Sequence, residues 1–176
     1  MFSSTSFEIF RVRHHYAGYS GCAGQCMTID MEAFSAFEYN DETGIAHLGV
    51  GLRLGDVMDS LLPYGVVIPV GNCRYVGVGG HFQSSGLSPL TRMMGLGLDY
   101  VKSFRIAFAN GTIATVTEEE NQEDLYWAAL GGNPGSWGVI LDYEVQTVRD
   151  EDFPNTSVPT LIVFYFEIRT FHSSKP

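Results

Sequence analysis

The stretch NCRYVGVGGHFQSSG, residues 72–86, places four glycines, a cysteine, an arginine and a histidine within one short run. Glycine reaches backbone conformations that are closed to other residues, and it lets a ligand approach the main chain closely. Gly77, Gly79 and Gly80 could therefore present N–H groups to an anion or to a flat ring. The same glycines suit a series of tight turns without a ligand, so glycine density alone leaves both interpretations open.

The spacing of the glycines argues against one common nucleotide-binding fold. The sequence GVGG does not fit the pattern GxGxxG, and the second glycine-rich segment, GGNPGSWG at 131–138, does not open a helix after a strand. Any nucleotide-binding fold in this chain is therefore not a Rossmann fold. Ser85 and Ser88 lack a GxSxG motif, which argues against a serine hydrolase.

The cysteines and His81 each allow two interpretations. Cys73 lies beside Arg74 and among backbone donors, a setting typical of a reactive thiol, and the alternative is an inert buried thiol. His81 is either a ligand contact or a hydrogen-bonded structural residue. Cys22 and Cys26 have no second pair of ligands, so we expect small buried side chains and no metal site.

Composition limits the class of protein. The 176 residues are 45% hydrophobic and 17% charged, which predicts one folded domain. The net charge of -10 argues against binding to nucleic acid or to an anionic membrane. No stretch approaches the ~20 apolar residues of a membrane span, and the N-terminus shows no signal-peptide pattern. The localisation is left open.

Hydrophobic periodicity predicts an α+β fold. The predicted strands are 25–31, 44–51 and 139–148, with a last strand at 160–168, an acidic turn at 39–44 and a hairpin at 99–117 around Asn110-Gly111. The predicted helices are 54–65 and 121–130. We expect packing faces formed by Val57, Met58, Leu61 and Leu62 in the first helix and by Leu125, Trp127, Ala128 and Ala129 in the second.

Together these segments resemble the berberine-bridge-enzyme-like branch of the oxygen-dependent FAD-linked oxidoreductases, which have the vanillyl-alcohol-oxidase type of flavin fold. Residues 71–101, GNCRYVGVGGHFQSSGLSPLTRMMGLGLDYV, are similar to the family's G-x-C-P-x-V-G-x-G-G-H run and the G-L-x-x-D-x-V segment after it. Residues 110–140, NGTIATVTEEENQEDLYWAALGGNPGSWGVI, are similar to its D-G-x-x-x-x-A and N-x-D-L-F-W-A-L-R-G-G-G-G-N-F-G-V-V segments. The order and separation of these motifs make the resemblance specific.

The resemblance implies a PCMH-type FAD-binding domain, mostly its second subdomain, with a mixed or antiparallel sheet and flanking helices. We expect this domain to be incomplete in the chain. Residues 1–13 are expected to be a non-matching N-terminal segment, and residues 14–150 part of the FAD-binding domain. Residues 151–176 are expected to be the start of a truncated substrate domain.

The cofactor implied by the resemblance is FAD, with two positions for covalent attachment. In the family, the cysteine at the position of Cys73 can bond the flavin ring at C6, and the histidine of R-S-G-G-H-S-Y bonds the 8α-methyl group. Aligning that motif on YAGYSG makes His14 the linking histidine, with Val12 and Arg13 in place of the two glycines. The other residues expected to line the cofactor are Val76, Gly77, Gly79, Gly80 and His81, then Gly132, Gly135, Trp137, Gly138 and Val139.

The function implied is that of an FAD-linked oxidase. Such an enzyme transfers hydride from a hydroxyl-bearing or secondary-metabolite substrate to flavin, with O2 as the acceptor that yields hydrogen peroxide. The alternative is a truncated, inactive remnant that binds flavin weakly, because the two glycines before His14 and their backbone donors are lost. Neither Tyr16 nor Tyr75 is a better candidate for the catalytic base than for packing, so no base is assigned.

Overall fold

The computed structural model describes residues 6–10, 14–15, 26–118, 123–132 and 135–152. Its strands are β1 (Ser6–Phe10), β2 (Cys26–Asp30), β3 (Phe37–Asn40), β4 (Ile45–Gly49), β5 (Val66–Val67), β6 (Val101–Ala107), β7 (Ile113–Thr117), β8 (Val139–Gln146) and β9 (Val148–Arg149). Its α-helices are α1 (Leu54–Leu61), α2 (Val78–Ser84), α3 (Thr91–Met94) and α4 (Glu123–Ala129). Short 3-10 turns lie at Leu62–Tyr64, Gly97–Tyr100 and Asp150–Asp152.

Five strands form one antiparallel sheet in the order β3–β4–β8–β6–β7. The central strand β8 places Tyr143 opposite Leu48 on β4 and opposite Phe104 on β6. Outside this sheet, β1 pairs with β2 in parallel and β5 pairs with β9 antiparallel. The sheet and its helices confirm the predicted α+β class.

The core lies between this sheet and α2. Val78 and Phe82 of α2 are fully buried, as is Tyr143 on the central strand. The Phe82 ring meets the Tyr143 ring edge-on, with centroids 5.4 Å apart, and Phe104 packs on the other side of Tyr143. Because these aromatic side chains bury large apolar areas, they fix α2 on the sheet.

The acidic turn lies in a different connection from the predicted one. Residues 40–44 join β3 to β4, whereas the sequence placed this turn after the strand that is now β2. The side chain of Asn40 stabilises the turn by accepting hydrogen bonds from the N–H groups of Glu42 and Thr43. The strand β3 was not predicted, because its four residues are too few for a clear alternating pattern.

The predicted hairpin at 99–117 is confirmed, with a five-residue connection between Ala107 and Ile113. Gly111 adopts a φ of 84°, which glycine reaches without the strain of a side chain. Asn110 accepts hydrogen bonds from both the N–H and the hydroxyl of Thr112. The local turn chemistry therefore holds β6 and β7 in register.

The first predicted helix is shorter than expected. α1 ends at Leu61, and Leu62 begins a 3-10 turn in which Pro63 removes a backbone donor. Val57 and Leu61 are buried as predicted, but Leu62 is 56% exposed, so its assignment to the packing face is wrong. Asp56 accepts a hydrogen bond from the N–H of Arg53 at the start of the helix.

The second predicted helix is confirmed in the residues described, but one of its packing residues is not. Ala129 is buried and Leu125 packs against the core, whereas Trp127 is 75% exposed. The hydroxyl of Tyr126 donates to the carbonyl of Val101, and its ring stacks on Phe104. The aromatic residue that packs on the sheet is therefore Tyr126. The predicted strand 160–168 lies outside the described residues.

Candidate functional site

The stretch 72–86 contains a helix where glycine spacing had suggested a loop of turns. Gly77 is extended, with φ -78° and ψ 142°, and α2 begins at the next residue. Gly79, Gly80 and His81 therefore lie within α2. Glycine is a poor helix former, and the burial of Val78 and Phe82 in the core overrides that propensity.

The residues before α2 are held by the start of α1. Three backbone hydrogen bonds of 2.9 to 3.0 Å join residues 74–78 to residues 52–55. Arg74, which stands where the family motif has proline, forms an ion pair with Asp59. A Cβ at Gly55 would lie 2.9 Å from the Cβ of Arg74, so glycine allows this close approach. These contacts fix the backbone next to Cys73.

Cys73 is exposed, so the alternative of a buried, inert thiol is wrong. Its carbonyl accepts a hydrogen bond from the N–H of Val76, which closes a tight turn. Tyr75, also exposed, lies under the guanidinium of Arg53, 5.7 Å from the ring centroid. The sulfur of Cys73 is therefore accessible to a ligand on a turn with a defined backbone.

His81 makes the structural hydrogen bond that was one of its two interpretations. Its Nε2 accepts the N–H of Gly71 at 3.3 Å, which ties α2 to the segment just before Cys73. Burial lowers the pKa of His81 to about 4, so the imidazole is neutral near pH 7. A neutral imidazole with Nε2 as acceptor carries its proton on Nδ1. A contact between His81 and a ligand stays a prediction.

The two glycine-rich segments are joined by Gln83 of α2. Its side-chain Oε1 accepts the N–H of Gly135 at 2.9 Å, and its main-chain oxygen accepts the N–H of Gly131 at 2.7 Å. Its Nε2 donates to the carbonyl of Gly79 at 3.2 Å. Gln83 is not among the site residues predicted from the sequence, because a glutamine on a helix carries no motif of its own.

Two glycines of these segments leave their backbone open to solvent. A Cβ added at Gly80 or at Gly135 would meet no atom within 4 Å, and both residues are exposed. The N–H groups of Gly79 and Gly80 belong to the first turn of α2, where a helix has no earlier carbonyl to accept them. Among the described residues, the space beside these two glycines is therefore open on the side where a Cβ would lie.

Gly132 and Gly138 are required by packing within the protein. A Cβ at Gly138 would lie 2.6 Å from the carbonyl oxygen of Ala107, and one at Gly132 would lie 2.8 Å from that of Ala128. Their role as cofactor contacts stays a prediction. Between them, Trp137 is 48% exposed.

Three other predicted site residues lie in different surroundings. His14 is exposed and belongs to none of the described strands or helices. Val76 is half-buried and packs against the core, and Val139 pairs with Ala107 at the start of β8. Among the described residues, no cluster of three metal-ligating side chains occurs. Cys22 and Tyr16 lie outside the described residues.

A family model described as an FAD binding domain matches residues 6–117, which is more than half of the chain. The chain belongs to this FAD binding domain family. FAD is therefore its cofactor, as the resemblance implied. The matched range begins at residue 6, and the boundary expected after residue 13 stays a prediction.

Relatives confirm the berberine-bridge-enzyme-like resemblance. The chain is 32% identical over 145 residues to the FAD-linked oxidoreductase pynB of Aspergillus niger, covering 82% of this chain and 26% of that protein. It is 31% identical to the solved BBE-like 1 of Physcomitrella patens, with a TM-score of 0.74 over 82% of this chain and 32% of that one.

A glucooligosaccharide oxidase of Acremonium strictum, whose structure reveals a novel flavinylation, is 28% identical. It has a TM-score of 0.73, over 82% of this chain and 30% of that one. The chain thus spans about a quarter to a third of the length of these three proteins. In the part of the chain that is described, no helix is long and apolar enough to cross a bilayer.

Proposed function

We propose that this chain is the FAD-binding part of an FAD-linked oxidase. The enzyme takes hydride from a hydroxyl-bearing or secondary-metabolite substrate and passes the electrons to O2, with hydrogen peroxide as product. The observation that supports the proposal is the joining of two open glycine backbones, at Gly80 and Gly135, through α2. Substrate and O2 are its small-molecule partners.

The first segment provides backbone donors. When bound, FAD supplies the two-electron acceptor for the reaction, and the protein supplies its placement. The N–H groups of Gly79 and Gly80 would donate to the pyrophosphate, and Gly77 lets the chain turn into α2. Backbone N–H groups hold phosphate through local dipoles, so the net charge of -10 does not prevent this contact.

The second segment supports the cofactor through its shape. Gly135 and Trp137 are exposed and would contact the cofactor directly. Gly132 and Gly138 instead allow the close backbone contacts that give the segment its path. Val139 continues that path into β8 and so connects the site to the sheet.

Cys73 and His14 are the positions of covalent attachment. Cys73 would hold the flavin at ring carbon C6 through its thiol sulfur, and His14 would hold it at the 8α-methyl carbon through a ring nitrogen. Each attachment would be a two-electron oxidation, for which O2 would be the acceptor and hydrogen peroxide the product. The exposure of both side chains is compatible with these reactions.

Flavin retention after acid precipitation tests the proposal. We would express residues 1–176, add FAD, precipitate with acid and measure flavin absorbance in the pellet. Retained flavin that is lost only when Cys73→Ala and His14→Ala are combined is the expected result. Flavin released by acid from the folded wild type would leave a non-covalent site. Soluble, folded protein that binds no FAD would contradict the proposed function and favour an inactive remnant.

A further inference from the structure

We propose that Gln83 is a positioning residue of the flavin site, which sets the Gly79–Gly80 peptide unit and Gly135 in place with one side chain. The inference rests on the proposed function, because it assigns both backbones to one cofactor. A hydrogen-bond network joins α2, the second glycine-rich segment and the central strand of the sheet.

The side-chain amide of Gln83 forms hydrogen bonds through both its nitrogen and its oxygen. Its Nε2 donates to the carbonyl of Gly79, one helical turn earlier, and its Oε1 accepts the N–H of Gly135, 52 residues later. The primary amide of glutamine offers donors and an acceptor on one rigid planar group. A change in either bond therefore alters the distance between the two segments.

The carbonyl of Gly79 receives a second hydrogen bond from the sheet. The fully buried hydroxyl of Tyr143 donates to it at 2.9 Å. Burial raises the pKa of Tyr143, so the hydroxyl keeps its proton and remains a donor. Gln83 and Tyr143 thus hold one carbonyl from two elements.

Holding this carbonyl also aims the N–H of Gly80. The C=O of Gly79 and the N–H of Gly80 belong to one planar trans peptide unit, so they point in opposite directions. Two successive glycines would otherwise allow this unit to rotate easily. With the carbonyl bonded toward Tyr143, the N–H of Gly80 is directed away from the sheet. Apart from its chain neighbours and the backbone of α2, no described atom lies within 4 Å of the position that a Cβ of Gly80 would occupy.

The test compares three variants of the 176-residue chain. Gln83→Met keeps the length of the side chain and removes both hydrogen bonds. Gln83→Glu keeps the acceptor for Gly135 but loses the donor to Gly79. Ser84→Ala is the matched control, since Ser84 is the next residue of α2 and is exposed.

Two measurements are made on each variant. The exchange rate of the Gly135 amide hydrogen is measured by NMR, with amides of β8 as an internal reference for global unfolding. The dissociation constant of FAD is measured by fluorescence titration. Because the added charge of Gln83→Glu repels phosphate, only its exchange rate is used.

We expect Gln83→Met to speed exchange of the Gly135 amide hydrogen about tenfold relative to β8. It should also weaken FAD binding about tenfold, because roughly one to two hydrogen bonds are lost. Gln83→Glu should keep Gly135 exchange within about threefold of the wild type, and Ser84→Ala should change neither quantity by more than about twofold.

Unchanged exchange at Gly135 in Gln83→Met would overturn the positioning role, as would faster exchange with unchanged FAD affinity. A folded wild type that binds no FAD would overturn the proposed function itself, and the role of Gln83 in a flavin site with it. That outcome is distinct from a failure of Gln83 in a chain that binds FAD.

Discussion

The two glycine-rich segments are held in place by different physical means. The first runs into α2, where Val78 and Phe82 are fully buried against the sheet. The second is exposed at Gly132 and Gly135 and is tied to α2 by hydrogen bonds to Gln83. The first segment therefore depends on the hydrophobic core, and the second on a few polar contacts and on close backbone packing. Substitutions in the two segments should separate stability from flavin binding.

The largest expected effect is the loss of stability when a core side chain of the first segment is truncated. Phe82→Ala should lower the free energy of unfolding by about 3–5 kcal/mol, because it leaves a cavity against Tyr143. Trp127→Ala removes another aromatic side chain that is 75% exposed, and should cost less than about 1 kcal/mol. Urea denaturation of both variants measures the difference. Equal losses would contradict the assignment of α2 to the core.

The next effect is a dependence of stability on pH through His81. Its pKa is lowered from 6.5 to about 4 by burial, so the unfolded chain binds more protons between these values. The free energy of unfolding therefore has its full value above pH 6.5. It falls as the pH drops toward 4, by at most about 3 kcal/mol.

His81→Gln provides the comparison for this pH dependence. A glutamine can offer an amide oxygen to the N–H of Gly71 but has no proton to gain. Urea denaturation at a series of pH values should show a shallower fall for the variant. Parallel curves for variant and wild type would show that His81 does not supply the slope.

A smaller effect on stability should distinguish the tightly packed Gly138 from Gly80, which has open space. Gly138→Ala should cost about 1–3 kcal/mol of stability, because its Cβ would lie 2.6 Å from the carbonyl oxygen of Ala107. Gly80→Ala has open space and a helical position, so it should stabilise the chain by up to about 1 kcal/mol while weakening FAD binding. Thermal unfolding and FAD titration report the two quantities. A stabilised Gly138→Ala would refute the packing requirement.

The smallest effect distinguishes strain from a contact with cofactor. Gly135→Ala and Gly65→Ala both place a side chain on a backbone with positive φ, 82° and 62°, with no neighbouring atom within 4 Å. Each should cost about 1–2 kcal/mol through backbone strain. Only Gly135→Ala should also weaken FAD binding, which titration would measure. Equal FAD affinities would remove Gly135 from the flavin site.

Local features of the fold were accessible from the sequence. The β6–β7 hairpin followed from Asn110-Gly111, whose turn chemistry acts within a few residues. The strand β8 and the helix α4 followed from runs of apolar residues. The strand β3 and the end of α1 were missed, because a four-residue strand and a 3-10 turn leave weak patterns. The exposure of Trp127 was missed because packing, not composition, decides which aromatic residue faces the sheet.

The sequence by itself determined the candidate residues of the site and their family, because the motifs at 71–101 and 110–140 lie in contiguous runs. Only the tertiary structure decided that Gly79 and Gly80 lie in a helix, that Cys73 is exposed and that Gln83 joins the two segments. Side-chain preferences act over a few neighbouring residues, whereas Gln83 and Gly135 are separated by 52 residues. Such residues meet only when burial of the core has set α2 on the sheet.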